Sequence, residues 1–248
     1  MPFTNLLLDK HELVGTLTLN RPEKLNAMTP ALIAEMGEAL TEVENDPEIK
    51  VLIIRGAGRS FCTGYDLTVG LGGASGERYT LDSDQRSLQH YVEHWLRLRD
   101  LPKPVISMVH GYCLAGGSQL AISTDMIFVA ENASIGFPSI PAGAGYVSSF
   151  WNWMVGPHRT KYLAFLPGSR ISGKEAEAIG FATRAFPAES LEPELDVAEH
   201  GQPWKQRIAL KDHRDAANRL GNIDAAILDD TLVRRHKPRE NPQKCRLA

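Results

Sequence analysis

His110-Gly111-Tyr112-Cys113-Leu114-Ala115-Gly116-Gly117-Ser118-Gln119-Leu120 is the stretch on which the reading of this chain turns. Ahead of it, Val105–Val109 is a continuous apolar run that reads as a buried strand. Behind it, residues 120–127 read as a helix giving way to another strand. A glycine pair at such a junction lets the backbone turn sharply and leaves N–H groups pointing outward from the helix start. Those donors, with the positive end of the helix dipole, suit an anion or an oxygen that becomes anionic during a reaction. A glycine pair also serves in ordinary tight turns, so the assignment depends on a second donor elsewhere in the chain.

The chain has 248 residues, 43% of them hydrophobic, enough to bury a large core as one big domain or a domain with an appendage. A net charge of −3 and a pI near 6.2 give no electrostatic case for nucleic acid. No apolar run reaches the length of a membrane-spanning helix, and no basic segment followed by an apolar stretch marks a secretory signal. Cys62, Cys113 and Cys245 are odd in number and widely spaced. That argues against a disulfide framework or a zinc site and fits a reducing cytosol, so a cytoplasmic location is expected.

Residues 13–19 alternate apolar and β-branched positions and read as a strand, ending at the turn Asn20-Arg21-Pro22-Glu23-Lys24. Thr29-Pro30 then reads as an N-cap with proline at the first helical position. Leu32, Met36, Leu40 and Val43 follow at near-helical spacing as far as Asp46-Pro47. Residues 51–54 suit a strand buried on both faces. The loop after it, residues 56–67, contains Gly64-Tyr65. Glycine permits an unusual backbone angle there and leaves the Tyr65 N–H available to an outside acceptor, which makes this the candidate second donor.

Residues 70–76 are glycine-rich, and residues 81–99 read as a helix ended by Pro102 and Pro104. Residues 135–146 form another Gly/Pro-rich loop, followed by helical readings over 148–155 and 159–165. Ser172 with Glu175 three residues on is a capping box that opens a further helix.

With both loops in hand, the sequence resembles the crotonase, or enoyl-CoA hydratase/isomerase, superfamily. The matching blocks are Leu19-Asn20-Arg21-Pro22-Glu23-Lys24-Leu25-Asn26-Ala27-Met28, residues 60–67, residues 110–120, and Ile171-Ser172-Gly173-Lys174-Glu175-Ala176. They occur in the family's order and spacing over roughly residues 5–190. The resemblance implies an α/β fold, a crotonase-like spiral of ββα units (related to that of the ClpP peptidases) with a C-terminal helical region. The implied division is a core over residues 1–190, a helical region over 191–233 and a basic tail over 234–248. Repeats of that kind are not evident in the sequence by eye.

The resemblance implies binding of acyl-CoA thioesters, with coenzyme A arriving as part of the substrate and no permanently bound cofactor or metal. By position in the motifs, the N–H groups of Tyr65 and Gly116 would grip the thioester carbonyl and stabilise an enolate. Each such donor is worth about 3 kcal/mol in the transition state. The segment holding Lys24, Leu25 and Ala27 would line the nucleotide end of CoA, with Lys24 near a phosphate. Asp66, after Tyr65, reads first as a cap of local N–H groups and second as a residue that touches the substrate. Partners implied are an acyl-CoA and further copies of the chain, as a homotrimer or dimer of trimers, with no nucleic acid and no membrane.

The catalytic side chains depart from the family pattern. Where its hydratases carry two glutamates that position and activate water, this chain has Gln119 and, after Pro138, Ser139. An amide takes no proton at neutral pH, and an unactivated serine is a poor base. Tyr146, at the end of the glycine-rich loop, is a candidate proton donor in the acyl pocket. His110, Cys113, Asp82, Asp84, His90 and His94 are lesser candidates, each more ordinary as a packed or surface residue. The C-terminus departs too: His200-Gly201-Gln202-Pro203-Trp204 interrupts the expected helices, and residues 234–246 are basic, proline-containing and without apolar periodicity.

The leading reading is therefore an acyl-CoA-binding enzyme of this family in which classical hydration is replaced by other oxyanion-hole chemistry, such as isomerisation, hydrolysis or decarboxylation. A non-catalytic acyl-CoA-binding or scaffold protein of the same fold is the alternative. A serine peptidase on the related spiral fold is disfavoured, because no Ser/His pair sits in the required motif.

Overall fold

The computed structural model describes residues 3–68, 89, 92–137, 149–166 and 168–192. Two sheets carry the fold, a larger one that is mostly parallel and a smaller mixed one, and the sequence builds the larger around its most apolar strand. Strand β4 (Val105–Val109) is buried at all five positions, which is why it reads as an unbroken apolar run. Beside it lie β2 (Val14–Leu19), β3 (Val51–Gly56), β6 (Met126–Ala130) and β9 (Arg184–Phe186), in the order β2-β3-β4-β6-β9, all parallel. Strand β1 (Leu6–His11) completes that edge antiparallel to β2, from Leu6 against Leu19 to His11 against Val14. The intervening turn places Glu12 at φ +48°. The first strand expected from the sequence, over residues 13–19, is thus preceded by another that pairs with it as a hairpin.

The smaller sheet is β5 (Tyr112–Leu114), β7 (Ser134–Gly136) and β8 (Arg170–Ser172), in the order β5-β7-β8. Helix α1 (Pro30–Asn45) covers the first crossover. Thr29 caps it by accepting from the Leu32 N–H at 3.1 Å, and Pro30 stands at its first turn. Its buried stripe is Leu32, Ile33, Met36, Gly37, Ala39, Leu40 and Val43. At the other end Lys103 donates to the carbonyls of Val43 and Asp46, a cation on the negative end of the helix. The described helical stretch 92–99, α2, buries Trp95 and Leu98.

The ββα spiral now becomes visible. Strand β4 in the large sheet leads to β5 in the small one and then to helix α3 (Gly116–Ile122). Strand β6 leads to β7 and, beyond it, to helices α4 (Ser149–Met154) and α5 (Pro157–Phe165). An isolated parallel bridge between Cys62 and Cys113 sets the loop after β3 in the same layer as β5, so successive turns stack. The repeat lies in pairing and layer rather than in residue identity. Helix α6 (Gly173–Ala178) opens on the capping box read from the sequence: Ser172 Oγ accepts from the Glu175 N–H, and Glu175 accepts from the Ser172 N–H. Phe137, Trp151 and Phe181 pack as an aromatic column, with centroids 4.7 and 4.5 Å apart.

Ser139, Tyr146, Asp82, Asp84, His90, the loop 70–76, and the C-terminal helical region and tail beyond residue 192 lie outside the described residues.

Candidate functional site

The site is built from three segments that are far apart in sequence. The first begins with a 3-10 turn, Pro22–Lys24, after which Leu25 and Asn26 both take left-handed backbone angles, φ +51° and +55°. Asparagine tolerates that region because its side chain can bond nearby backbone. Asn26 is fully buried and uses its whole amide. Its Oδ1 accepts from the Arg21 N–H at 2.9 Å, and its Nδ2 donates to the carbonyls of Ala57 at 2.9 Å and Ser60 at 2.7 Å. One side chain thereby ties the turn to the loop after β3.

That loop is the second segment. Gly64 sits at φ +103°, as its reading required. Thr63 donates to the Leu25 carbonyl, the Met28 N–H donates to the Gly64 carbonyl at 2.7 Å, and the Asp66 N–H donates to the Met28 carbonyl at 2.9 Å. These bonds form a parallel bridge between Met28 and Tyr65. In a planar trans peptide the N–H points opposite to the C=O. Because the carbonyl of the Gly64–Tyr65 peptide is turned toward Met28, the Tyr65 N–H is directed to the other side.

The third segment is the turn into α3. Here the glycine pair is not what bends the chain: Ala115, the N-cap, adopts φ +45° and ψ −118°, while Gly116 and Gly117 are already helical. The pair is needed for close approach. A methyl group on Gly117 would lie 2.2 Å from the Cys62 carbonyl oxygen. The N–H groups of Gly116 and Gly117 precede the first helical bond, which runs from the Ser118 N–H to the Ala115 carbonyl. A methyl on Gly64 would lie 3.1 Å from the Gly116 nitrogen, so the two loops are in contact. The side chains of Met28 and Tyr65 pack over the Gly116 Cα.

Leu25, Ala27, Tyr65, Asp66 and Gly116 are thus gathered in one place, with Lys24 exposed at its edge. Gln119 follows one turn along α3, only 2% exposed, and its carbonyl accepts from the Ser123 N–H and hydroxyl. Asp66 as a whole residue is 7% exposed. It accepts from the Thr68 hydroxyl at 2.6 Å and N–H at 3.0 Å, and from Arg21 Nη1 at 3.0 Å. The Thr68 hydroxyl, ahead of the Arg21 charge, holds its pKa below the ordinary aspartate value.

The remaining candidates are engaged elsewhere. Burial pushes the Cys62 thiol up to about 12 and raises Cys113 as well, so both are protonated packing groups. The His110 ring is held 2.9 Å from the Gly58 carbonyl. His94 faces α1, where a methyl on Gly37 would come 3.6 Å from its ring. A separate cavity of about 720 Å³ is lined by Leu7, Thr18, Arg55, Met108, His110 and Glu192 among others, and by none of the gathered residues. Of the arginines lining it, Arg55 is paired with Glu192 at 2.5 Å and with Thr18 at 3.1 Å. No cluster of metal-ligating side chains occurs among the described residues.

Three residues escaped the sequence reading: Arg21, Asn26 and Ala115. Asn26 had a signal, a polar residue between apolar neighbours after a proline turn, but two of its three partners lie more than thirty positions away. Ala115 had none.

The sequence profile described as enoyl-CoA hydratase/isomerase matches residues 9–235. The mitochondrial enoyl-CoA hydratase of Pongo abelii is 32% identical over 222 residues, covering 88% of this chain and 71% of that protein. The crotonyl-CoA hydratase of Syntrophomonas wolfei is 30% identical over 224 residues, 88% and 83% of the two chains. Among solved structures, an enoyl-CoA hydratase/isomerase from Xanthobacter autotrophicus superposes with a TM-score of 0.76 at 31% identity, covering 87% of this chain and 80% of that one.

Proposed function

The chain belongs to the enoyl-CoA hydratase/isomerase family, and from that membership we propose that it binds acyl-CoA thioesters and stabilises an enolate with the N–H groups of Tyr65 and Gly116. The observation that carries the reading is the contact of Gly64 with the Gly116 nitrogen, together with the outward direction of the Tyr65 N–H. Two preorganised backbone dipoles side by side stabilise charge that appears only as the thioester becomes an enolate. Lys24, Leu25 and Ala27 would take the nucleotide end of CoA, and the buried Asp66 would shape the pocket wall. CoA enters as part of the substrate, with no resident cofactor.

With Gln119 and Ser139 in place of the two hydratase glutamates, water lacks a carboxylate base, so the chemistry is isomerase-like or another enolate reaction rather than classical hydration. Tyr146 is then the proton donor of choice. The protein works in the cytoplasm as a homotrimer or dimer of trimers, within fatty-acid or related acyl-CoA metabolism. The uncharged, buried Gln119 also favours a second reading, a non-catalytic acyl-CoA-binding protein that keeps the donors.

The test is turnover of crotonyl-CoA and a panel of other acyl-CoAs, followed by absorbance and mass spectrometry, beside binding to immobilised CoA. Binding with no crotonyl-CoA hydration is expected, and product from another acyl-CoA separates enzyme from scaffold. Hydration at ordinary enzyme rates would overturn the role given to the missing carboxylates. In the double variant Gln119→Glu, Ser139→Glu, hydration should rise at least about a hundredfold.

A further inference from the structure

Arg21 reaches across the joint between the two donor-bearing loops. Its Nη1 donates to the Ala27 carbonyl at 2.5 Å and to Asp66 Oδ2 at 3.0 Å. Those acceptors are the residue just before Met28 and the residue just after Tyr65, so one nitrogen spans both strands of the Met28–Tyr65 bridge. The guanidinium is 16% exposed and the carboxylate 6%. The backbone of Arg21 is fixed in turn by Asn26 Oδ1 and by the turn it opens. Asp66 cannot drift, since Thr68 holds its other oxygen.

The bridge is short: beyond it on the Met28 side, residues 62–66 are tied through Thr63, which donates to the Leu25 carbonyl. On this side a single backbone bond, from the Met28 N–H to the Gly64 carbonyl, sets the plane of the Gly64–Tyr65 peptide, and a short bridge of this kind opens readily unless something braces its ends. From this geometry we propose that Arg21 is a positioning residue that fixes the direction of the Tyr65 N–H, and that it couples this donor to the Leu25–Ala27 segment. The inference rests on the oxyanion-hole reading for its functional consequence. Its structural half, a clamp on the Tyr65 peptide, stands without it. Lysine would supply the charge, but its single ammonium lacks the planar fork that arginine presents to its acceptors. Arg21→Lys should therefore recover only part of the effect.

Two measurements on the full chain test it, with Arg59→Met, at an exposed arginine outside this joint, as control. Without ligand, amide hydrogen exchange followed by mass spectrometry compares a peptide covering residues 61–68 with one covering β4. In Arg21→Met, exchange over 61–68 should rise by about tenfold while β4 is unchanged, and Arg21→Lys should fall between. Unchanged exchange over 61–68 in a folded variant would overturn the clamp. So would an equal rise in β4, which would mean general loosening; if Arg21→Met does not fold, the Arg21→Lys result decides alone.

With crotonyl-CoA labelled at the thioester carbonyl, isotope-edited infrared spectroscopy then reads carbonyl polarisation. Arg21→Met should lose at least half of the shift to lower frequency seen in the unaltered protein. A full shift in Arg21→Met would overturn the functional half. If the unaltered protein binds crotonyl-CoA with no shift at all, the oxyanion-hole reading fails, and the exchange result still decides the clamp.

Discussion

A methyl group on Gly117 would sit 2.2 Å from a backbone oxygen that cannot retreat without breaking the Cys62–Cys113 bridge. Gly117→Ala should accordingly lower stability by about 3 kcal/mol, the upper end of what overpacking costs, read as a shift of the urea midpoint with unchanged slope. Ala115 has the opposite problem, a side chain at a backbone angle that glycine tolerates better. Ala115→Gly should raise stability by about 1 kcal/mol in the same titration. Asp66 supplies a pH signature. Its folded pKa lies below the unfolded value, chiefly because the Thr68 hydroxyl bonds the charged form. The stability it contributes is complete above that unfolded value, 3.8, and is lost as the pH falls through the folded one. The acid limb of a stability–pH curve should therefore flatten in Asp66→Asn below pH 3.8, and an identical limb in the variant would remove Asp66 from that account.

Single residues act here through short elements, and the strongest of these is the turn over residues 20–28. Asn26→Ala would leave three backbone groups, one buried and two part-buried, without their partners, and the loss should come to about 3 kcal/mol, taking roughly 1 kcal/mol for each. By contrast, Ser172→Ala removes one exposed cap of α6 and should cost about 1 kcal/mol. The contrast also explains which elements were legible in the sequence. The capping box of α6, the Thr29-Pro30 start of α1 and the apolar run of β4 are local signals, and the structure bears them out. Strand β1 was missed because Asp9, Lys10 and His11 face water on an edge strand that needs little apolar content. The start of α3 was read late because glycine at its first two positions hides helical character that packing against Cys62 enforces. Gly64 was read correctly, since its special angle is written in its residue type; Ala115 carries a comparable angle with no residue-level sign.

At the scale of the whole molecule, family membership was legible because four motifs stood in order, whereas the spiral itself was not. Its repeat is a sequence of layers, large sheet, small sheet, helix, that successive turns fill with different residues, so it emerges only from strand pairing. The same scale carries the proposed assembly. Trp153, Tyr162 and Phe165 are 70%, 64% and 72% exposed, with Met154 and Leu166 beside them in sequence, all on or next to α4 and α5. So many large apolar side chains in one short stretch are unusual on a surface that stays in water and are ordinary where subunits meet. If the protein is a trimer or a dimer of trimers, sedimentation equilibrium should return three or six times the 27.3 kDa of the chain. Tyr162→Glu with Phe165→Glu should then shift the mass toward the single chain, because two carboxylates desolvated in an apolar contact cost more than the contact returns. A mass of 27.3 kDa for the unaltered protein would refute the assembly. An oligomer indifferent to the double substitution would keep the assembly and move its interface off α5.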